Sequence, residues 1–332
     1  MRRRQFLGAL GSAALGGSAL GWPHEARAQK PPVRIGFLAS GAAASINSAF
    51  QIKTIERGLE SNGLVEGRDY IFEPRFSGGR DEQFREMAQE LVQAGVSMIL
   101  ANTIASVRAA QRLVPPVPVV MVSINDPVGA GLITSLARPG GHTTGVASLN
   151  EDLIPKLLEF QRAILPNARS IAALYNPANP ASPAFLENLR VHAGALGMSV
   201  MPVEMQSRDE LEAAFAALPA RHPDALQVVS DSGTLDLSDR IAALARANRL
   251  PAFATSPDFA RLGGLMAYGA PREQPFIRSA YYVKRILDGA DPGELPVEQP
   301  SRIELWINLR TAKALDLIVP ASLVAAANEV IE

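Results

Sequence analysis

The chain has 332 residues, with 32 basic and 33 acidic side chains, 47% hydrophobic residues and no cysteine. The near-neutral balance excludes a footprint for nucleic acid or anionic lipid. The missing cysteine excludes disulfides, thiolate metal sites and a lipid anchor on an N-terminal cysteine.

The first 28 residues read as a cleaved export signal. Arg2, Arg3 and Arg4 form a basic start, residues 8–21 an uncharged small and apolar run, and Ala26-Arg27-Ala28 an A-x-A cleavage site. Arg3-Arg4 followed by Gln5-Phe6-Leu7 resembles a twin-arginine signal, with a Sec signal of rich basic cluster as the alternative. Residues 8–21 are too few for a membrane span, which needs about 20. No later stretch is long and apolar enough, so the expectation is a soluble, untethered periplasmic protein starting at Gln29. Residues 29–332 carry 28 basic and 32 acidic side chains, and their length exceeds one usual hydrophobic core, so two lobes are expected.

Short β-branched runs, polar loops and helical stretches then alternate. The first series of strands is predicted at 33–40, 70–76, 96–102, 117–124 and 144–149, and the second at 170–175, 199–205, 225–230, 252–255 and 264–268. Nearly continuous apolar runs such as Met98-Ile99-Leu100 suit parallel strands covered on both faces. Glu73, Pro74 and Arg75 make 70–76 an edge strand. Helical spacing of Phe50, Ile52, Ile55 and Leu59, of Phe84, Met87, Leu91 and Val92, and of Leu211, Phe215 and Leu218 places amphipathic helices between the strands. Residues 276–287 are a strong helix, 290–300 a surface linker, 303–307 a late strand, and 311–317 and 321–331 terminal helices.

The alternation occurs twice, which predicts an α/β protein of two doubly wound, Rossmann-like lobes joined by a hinge. Lobe 1 covers 33–148 and is completed by part of 271–332. Lobe 2 covers 149–270, with part of 300–332 returning to it. Residues 148–153 are the first hinge, and a return crossing falls near 268–271.

Certain segments resemble a known family. They are Ile35-Gly36-Phe37-Leu38, Gly63-Leu64-Val65-Glu66-Gly67, Asn125-Asp126-Pro127-Val128-Gly129-Ala130-Gly131-Leu132, and Ser135-Leu136-Ala137-Arg138-Pro139-Gly140-Gly141-His142-Thr143-Thr144-Gly145-Val146. Tyr175-Asn176-Pro177-Ala178-Asn179-Pro180 and Ile307-Asn308-Leu309-Arg310-Thr311-Ala312-Lys313-Ala314-Leu315 continue the match. Together they resemble the periplasmic substrate-binding proteins of ABC importers, in the family that includes tryptophan- and tyrosine-binding components. The family commonly has Asn where this chain has His142. The resemblance implies the type I periplasmic-binding architecture, a permease partner at the inner membrane and a small-molecule ligand whose identity it does not specify.

In open α/β sheets ligands sit beyond the carboxyl ends of the strands, so the loops there are the candidates. Ser40 and Gly41 follow the first strand; Gly41 admits close backbone approach and Ser40 hydrogen-bonds the ligand. Asn102, Thr103 and Ile104 open a helix whose N-terminus suits a carboxylate, with Thr103 also a plain N-cap. Asn125 and Asp126 are placed facing the cleft, with Asp126-Pro127 equally readable as a helix cap and first helical residue. Tyr175, Asn176 and Asn179 form the lobe-2 counterpart, against an Asx-turn alternative. Asp231 and Ser232 suit a ligand ammonium, against a turn before a helix near Thr234. Tyr268 lines the cleft or packs in the hinge.

Pro139-Gly140-Gly141 reads as a turn re-entering the sheet, His142 as a turn residue and Trp306 as core; His192 and His222 lack ligand spacing. No nucleophile elbow, zincin motif or Walker loop is present, and Gly129-Ala130-Gly131 is only a fragment of a dinucleotide fingerprint. The expectation is a binding protein without cofactor or metal, a monomer that captures an amino-acid-like solute, with aromatic amino acids among the candidates. A sensor that docks a kinase ectodomain and a periplasmic α/β enzyme are the alternatives.

Overall fold

The computed structural model describes residues 31–332; the export-signal reading of 1–28 lies outside them. The first half alternates β1 (Val33–Ala39), α1 (Ile46–Ser61), β2 (Tyr70–Phe76), α2 (Phe84–Gln93), β3 (Val96–Ala101), α3 (Ile104–Gln111), β4 (Val119–Ile124) and β5 (Thr143–Ala147). These strands form one parallel sheet in the order β2-β1-β3-β4-β5. β2 is its edge, where Pro74 loses no ladder bond that a central strand would need.

The second half runs α4 (Ile154–Ile164), β6 (Ser170–Tyr175), α5 (Ser182–Ala195), β7 (Ser199–Glu204), α6 (Arg208–Ala217), β8 (Ala225–Val228), α7 (Ser232–Asp236), α8 (Ser238–Ala247), β9 (Ala252–Ala254), α9 (Asp258–Arg261) and β10 (Met266–Gly269). It ends with α10 (Glu273–Leu287), β11 (Glu304–Asn308), α11 (Leu309–Ala314), α12 (Ala321–Ala326) and β12 (Glu329–Ile331). The second sheet has the order β12-β11-β10-β9-β8-β6-β7.

Each sheet is covered on both faces, which is why its strands read as apolar runs rather than as alternations. In lobe 1, Ile35, Phe37 and Val120 pack under Ile55, Leu59, Phe276, Ala280 and Val283. The opposite face carries Leu38, Ile99 and Met121 under Phe84, Leu91 and Val107. The helix α10 therefore belongs to lobe 1 although it follows the strands of lobe 2. The chain crosses between the sheets after β5, after β10 and before β11.

Four expectations change. Residues 321–331 are not one helix: α12 stops at Ala326 and Glu329–Ile331 pairs parallel to β11. Asn328 makes the switch, because its backbone N–H donates to Leu305 O at 2.8 Å while its Oδ1 accepts from Leu305 N at 2.9 Å. β11 runs antiparallel to β10, breaking the parallel pattern. The chain leaves β10 toward lobe 1 and re-enters from it, so β11 starts at the end where β10 finishes.

Residues 290–300 are no surface linker. Leu295 and Val297 are buried. Ala147 N donates to Glu298 O at 2.8 Å, and Glu298 N to Gly145 O at 3.1 Å. The segment thus covers β5, the other edge of the first sheet, and leaves fewer free backbone groups there. Arg278 ties it down through two 2.6 Å bonds to Glu298. Finally, Asp126-Pro127 starts a single turn, not a helix. Asp126 Oδ1 accepts from Gly129 N at 2.8 Å and Asp126 O from Ala130 N at 2.9 Å, but no helix follows.

Gly145 sits inside β5 at φ +132° opposite Met121, and a Cβ there would lie 2.2 Å from Met121 O. A side chain meets both an unfavourable backbone region and the neighbouring strand. Gly145→Ala is expected to cost about 3 kcal/mol or more, read as a lower urea midpoint; a wild-type midpoint would show that the two strands separate freely.

Candidate functional site

A cavity of about 440 Å³ lies between the two sheets. That is within the usual size range for small-molecule sites. Its rim is made by loops at the carboxyl ends of strands in both lobes. Lobe 1 contributes Ser40-Gly41-Ala42 after β1, Asn102-Thr103-Ile104 after β3, and Ser123 and Asn125 at the end of β4. Lobe 2 contributes Asn176 and residues 178–182 after β6, 229–233 after β8, Thr255 and Ser256 after β9, and 270–272 after β10.

Ten of the thirteen residues singled out from sequence line this cavity: Ser40, Gly41, Asn102, Thr103, Ile104, Asn125, Asn176, Asn179, Asp231 and Ser232. Three do not. Asp126 is turned to its own loop, capping Gly129. Tyr175 points its hydroxyl to Glu204 Oε1 at 2.8 Å, because strand alternation sends it away from the cavity that Asn176 faces. Tyr268 packs edge-on against Phe160 in the lobe-2 core, with ring centroids 5.2 Å apart. It therefore neither lines the cleft nor packs in the hinge.

The capping chemistry and the site chemistry coincide. Thr103 N-caps α3: its Oγ1 accepts from Ser106 N at 3.0 Å and its own N donates to Ser106 Oγ at 3.0 Å. Asp231 N-caps α7 and is also the hub of the lobe-2 rim. Its Oδ1 accepts from Gly233 N at 2.8 Å and Asn176 Nδ2 at 3.1 Å, and its Oδ2 accepts from Asn179 Nδ2 at 3.0 Å. The Asx turns expected at Asn176 and Asn179 are present too, since their Oδ1 atoms accept from Ala178 N and Ala181 N at 3.0 Å. The turn reading holds, and both amides also lie in the cavity wall: the turn fixes the amide, and the amide fixes Asp231.

Ser123 has φ +62° where the β4–β5 register shifts, a bulge that re-aims the end of β4 into the cavity. Asn125 then reaches Glu151 Oε1 at 2.6 Å and accepts from Ser148 Oγ at 3.0 Å, binding the strand end to the first interlobe crossing.

The lobes touch across the cleft. Ser40 Oγ donates to Ser232 Oγ at 2.7 Å. A Cβ on Gly41 would press on Ser48 Oγ of α1 at 2.9 Å and come into ordinary contact with Asp236 Oδ2 of α7 at 3.7 Å. Arg272, at the second crossing, donates to Asn47 Oδ1 at 2.6 Å, faces Asp258 at 3.7 Å and lies 4.0 Å from the Phe50 ring. Burial lowers its pKa, with Asp258 and Asp236 opposing that shift.

Asn47, Gln51, Asp81, Asp236, Ser256 and Arg272 line the cavity and were not singled out from sequence. For Asn47 and Gln51 a signal existed. They lie four apart on the face of α1 that also buries Ser48, Thr54, Ile55 and Leu59, so the inner stripe is polar at its first turns. Asp81 and Arg272 carry no such pattern, because only the fold brings them to the cleft.

The family model described as ABC transporter substrate binding protein matches residues 47–331. A tyrosine-binding protein of Clostridioides difficile (strain R20291) is 25% identical over 261 residues, 79% of this chain and 75% of that one. A conserved domain protein from Vibrio cholerae superposes with a TM-score of 0.81 at 23% identity, covering 90% of this chain and 99% of the other. An ABC domain from Streptococcus pneumoniae in complex with L-Trp superposes with a TM-score of 0.80 at 23% identity, covering 90% and 100%. A ligand-free, open substrate-binding protein from Clostridium difficile covers 90% of this chain and 99% of its own, but its TM-score is 0.63 at 20% identity. The type I periplasmic-binding architecture of two α/β lobes is thus shared with these three structures. The chain belongs to the family of ABC transporter substrate-binding proteins.

Proposed function

We propose that this protein captures a small amino-acid-like solute between its lobes and delivers it to the permease of an ABC importer, working as an exported, untethered monomer in the periplasm. Members of its family bind and do not catalyse, so the cleft is a capture site. The observation that carries the ligand class is the Asp231 carboxylate. Three donors from its own lobe hold it rigid at the cavity wall, and a carboxylate offers about four acceptor positions. One remains for a ligand ammonium. The first turn of α3, opened by Asn102 and Thr103 in the other lobe, supplies donors and a positive dipole end for a carboxylate. A zwitterion spanning the cleft satisfies both and draws the lobes together.

Relatives that bind tyrosine and L-Trp support the amino-acid class. The basic start, apolar run and A-x-A site at the N-terminus support export, and the family description supports a permease partner.

A thermal-shift screen of the mature protein with the natural L-amino acids should reveal a ligand that raises Tm in proportion to the logarithm of its concentration. No stabilisation by any of them would remove the amino-acid reading. For the amino acid found, Asp231→Ala should lower affinity by about a hundredfold in calorimetric titration, because a buried charged hydrogen bond is lost and the loop frame with it. Asp126→Ala, outside the cavity, should leave affinity within about twofold.

A further inference from the structure

The charges of the cavity are unbalanced. Asp81, Asp231 and Asp236 line it against one guanidinium, Arg272. Arg272 is already engaged by Asn47, Asp258 and the Phe50 ring and also acts on Asp236, which leaves Asp81 and Asp231 as the unbalanced carboxylates. Of its buried polar groups, Asn102 Oδ1 is an acceptor without a partner and Ser256 Oγ a hydroxyl without one, free to donate or accept. Asp236 is met by Ser45 and Asn47. Asn47 and Ser256 are only 5% and 8% exposed, so bulk water does not serve them freely. A cavity with an unpaired acceptor and spare negative charge complements a ligand that brings N–H donors and positive charge.

Its aromatic lining is thin. Phe185 and Phe276 are the aromatic side chains in the wall, and both are spent in the cores of their lobes at 4% and 7% exposure. Neither offers a free ring face for stacking. Asp81 sits at the mouth, where the cavity meets an outer groove that it shares with Pro180 of lobe 2. It lies in lobe 1, and Asp231 faces it from lobe 2. Closing the lobes therefore brings two carboxylates toward one another, which a cation between them relieves.

Resting on the reading of the cleft as an amino-acid site, we propose that it selects a basic amino acid, with Asp231 taking the α-ammonium and Asp81 taking the side-chain ammonium or guanidinium at the cleft mouth. Asp81 is the residue that sets this specificity. Burial first, then Asp231 and Glu82, push its pKa up to about 6. The other charges around it are Asp236 from α7 and Arg85, Arg108 and Arg112, which line the outer groove together with Asp81. Asp81 is ionised at neutral pH and protonated in mild acid, so the preference for a cation should fade as pH falls through 6.

The test is calorimetric titration of the mature protein with L-arginine, L-lysine and L-ornithine, each against a neutral counterpart of similar shape (L-citrulline, L-norleucine, L-norvaline), and with L-tyrosine and L-tryptophan. At pH 7.5 one basic amino acid should bind about tenfold or more tighter than its neutral counterpart and than either aromatic. That ratio should fall about tenfold by pH 5, where Asp81 is largely protonated. Asp81→Asn should bring the ratio close to one and remove its pH dependence. The folding control is the ligand-free Tm. A carboxylate whose folded pKa is raised contributes stability below its unfolded value and loses it as pH rises through 6. Asp81→Asn should therefore melt at or above wild type at pH 7.5. Neutral or aromatic amino acids binding as tightly as the basic ones, or a ratio unmoved in Asp81→Asn, would overturn this inference and leave the amino-acid reading standing. Binding of no amino acid at all would overturn both.

Discussion

The direction of the parallel strands governs everything else in this molecule. A parallel strand feeding a helix through a short loop puts the helix N-terminus, its free N–H groups and its capping side chain at the carboxyl edge of the sheet. Here that edge is where Ser40, Asn102, Asn125, Asn176, Asp231 and Ser256 gather. Two such edges, one per sheet, enclose one cavity. The polar small residues that the loops need for their own turns are therefore also the residues available to a ligand.

Asp231 shows how tightly the two demands are joined. It caps α7, it receives both Asn176 and Asn179, and those amides are in turn fixed by their own Asx turns. A carboxylate held by three donors needs no reorganisation to meet a cation. On the other side, Ser40 meets Ser232 and Arg272 spans from α1 toward α9, so the lobes are in mutual contact. Several polar atoms at this seam remain unpaired while buried, a cost that a bound solute offsets.

The strands were legible because each is short, β-branched and covered on both faces, and the edge position of β2 could be read from Glu73, Pro74 and Arg75. Thr103 was legible as a cap, whereas Asp231, read as a turn residue ahead of a helix near Thr234, is itself the cap of a helix that starts at Ser232. What failed was the reading of segments whose partner is distant in sequence. Val330 and Ile331 look helical after Ala321, yet β11 offers an unpaired edge and Asn328 hands them to it. Residues 290–300 look like a solvated linker by composition, yet β5 needs its edge covered. Tyr175 fell on the wrong side because a one-residue step in a strand reverses the face, and Tyr268 because Phe160 was there to receive it.

The amino-acid sequence by itself determined the alternation, the two sheets, the turn chemistry and the family, since all of these rest on local preference and on short contiguous motifs. Only the tertiary structure decided the composition of the cavity. Asp81, Asp236 and Arg272 lie on separate elements whose own periodicity does not mark them, and they meet because α10 crosses back to lobe 1 while α7 stays in lobe 2. Charge balance in a cleft is a property of which loops face one another, and that depends on long-range packing rather than on any local pattern.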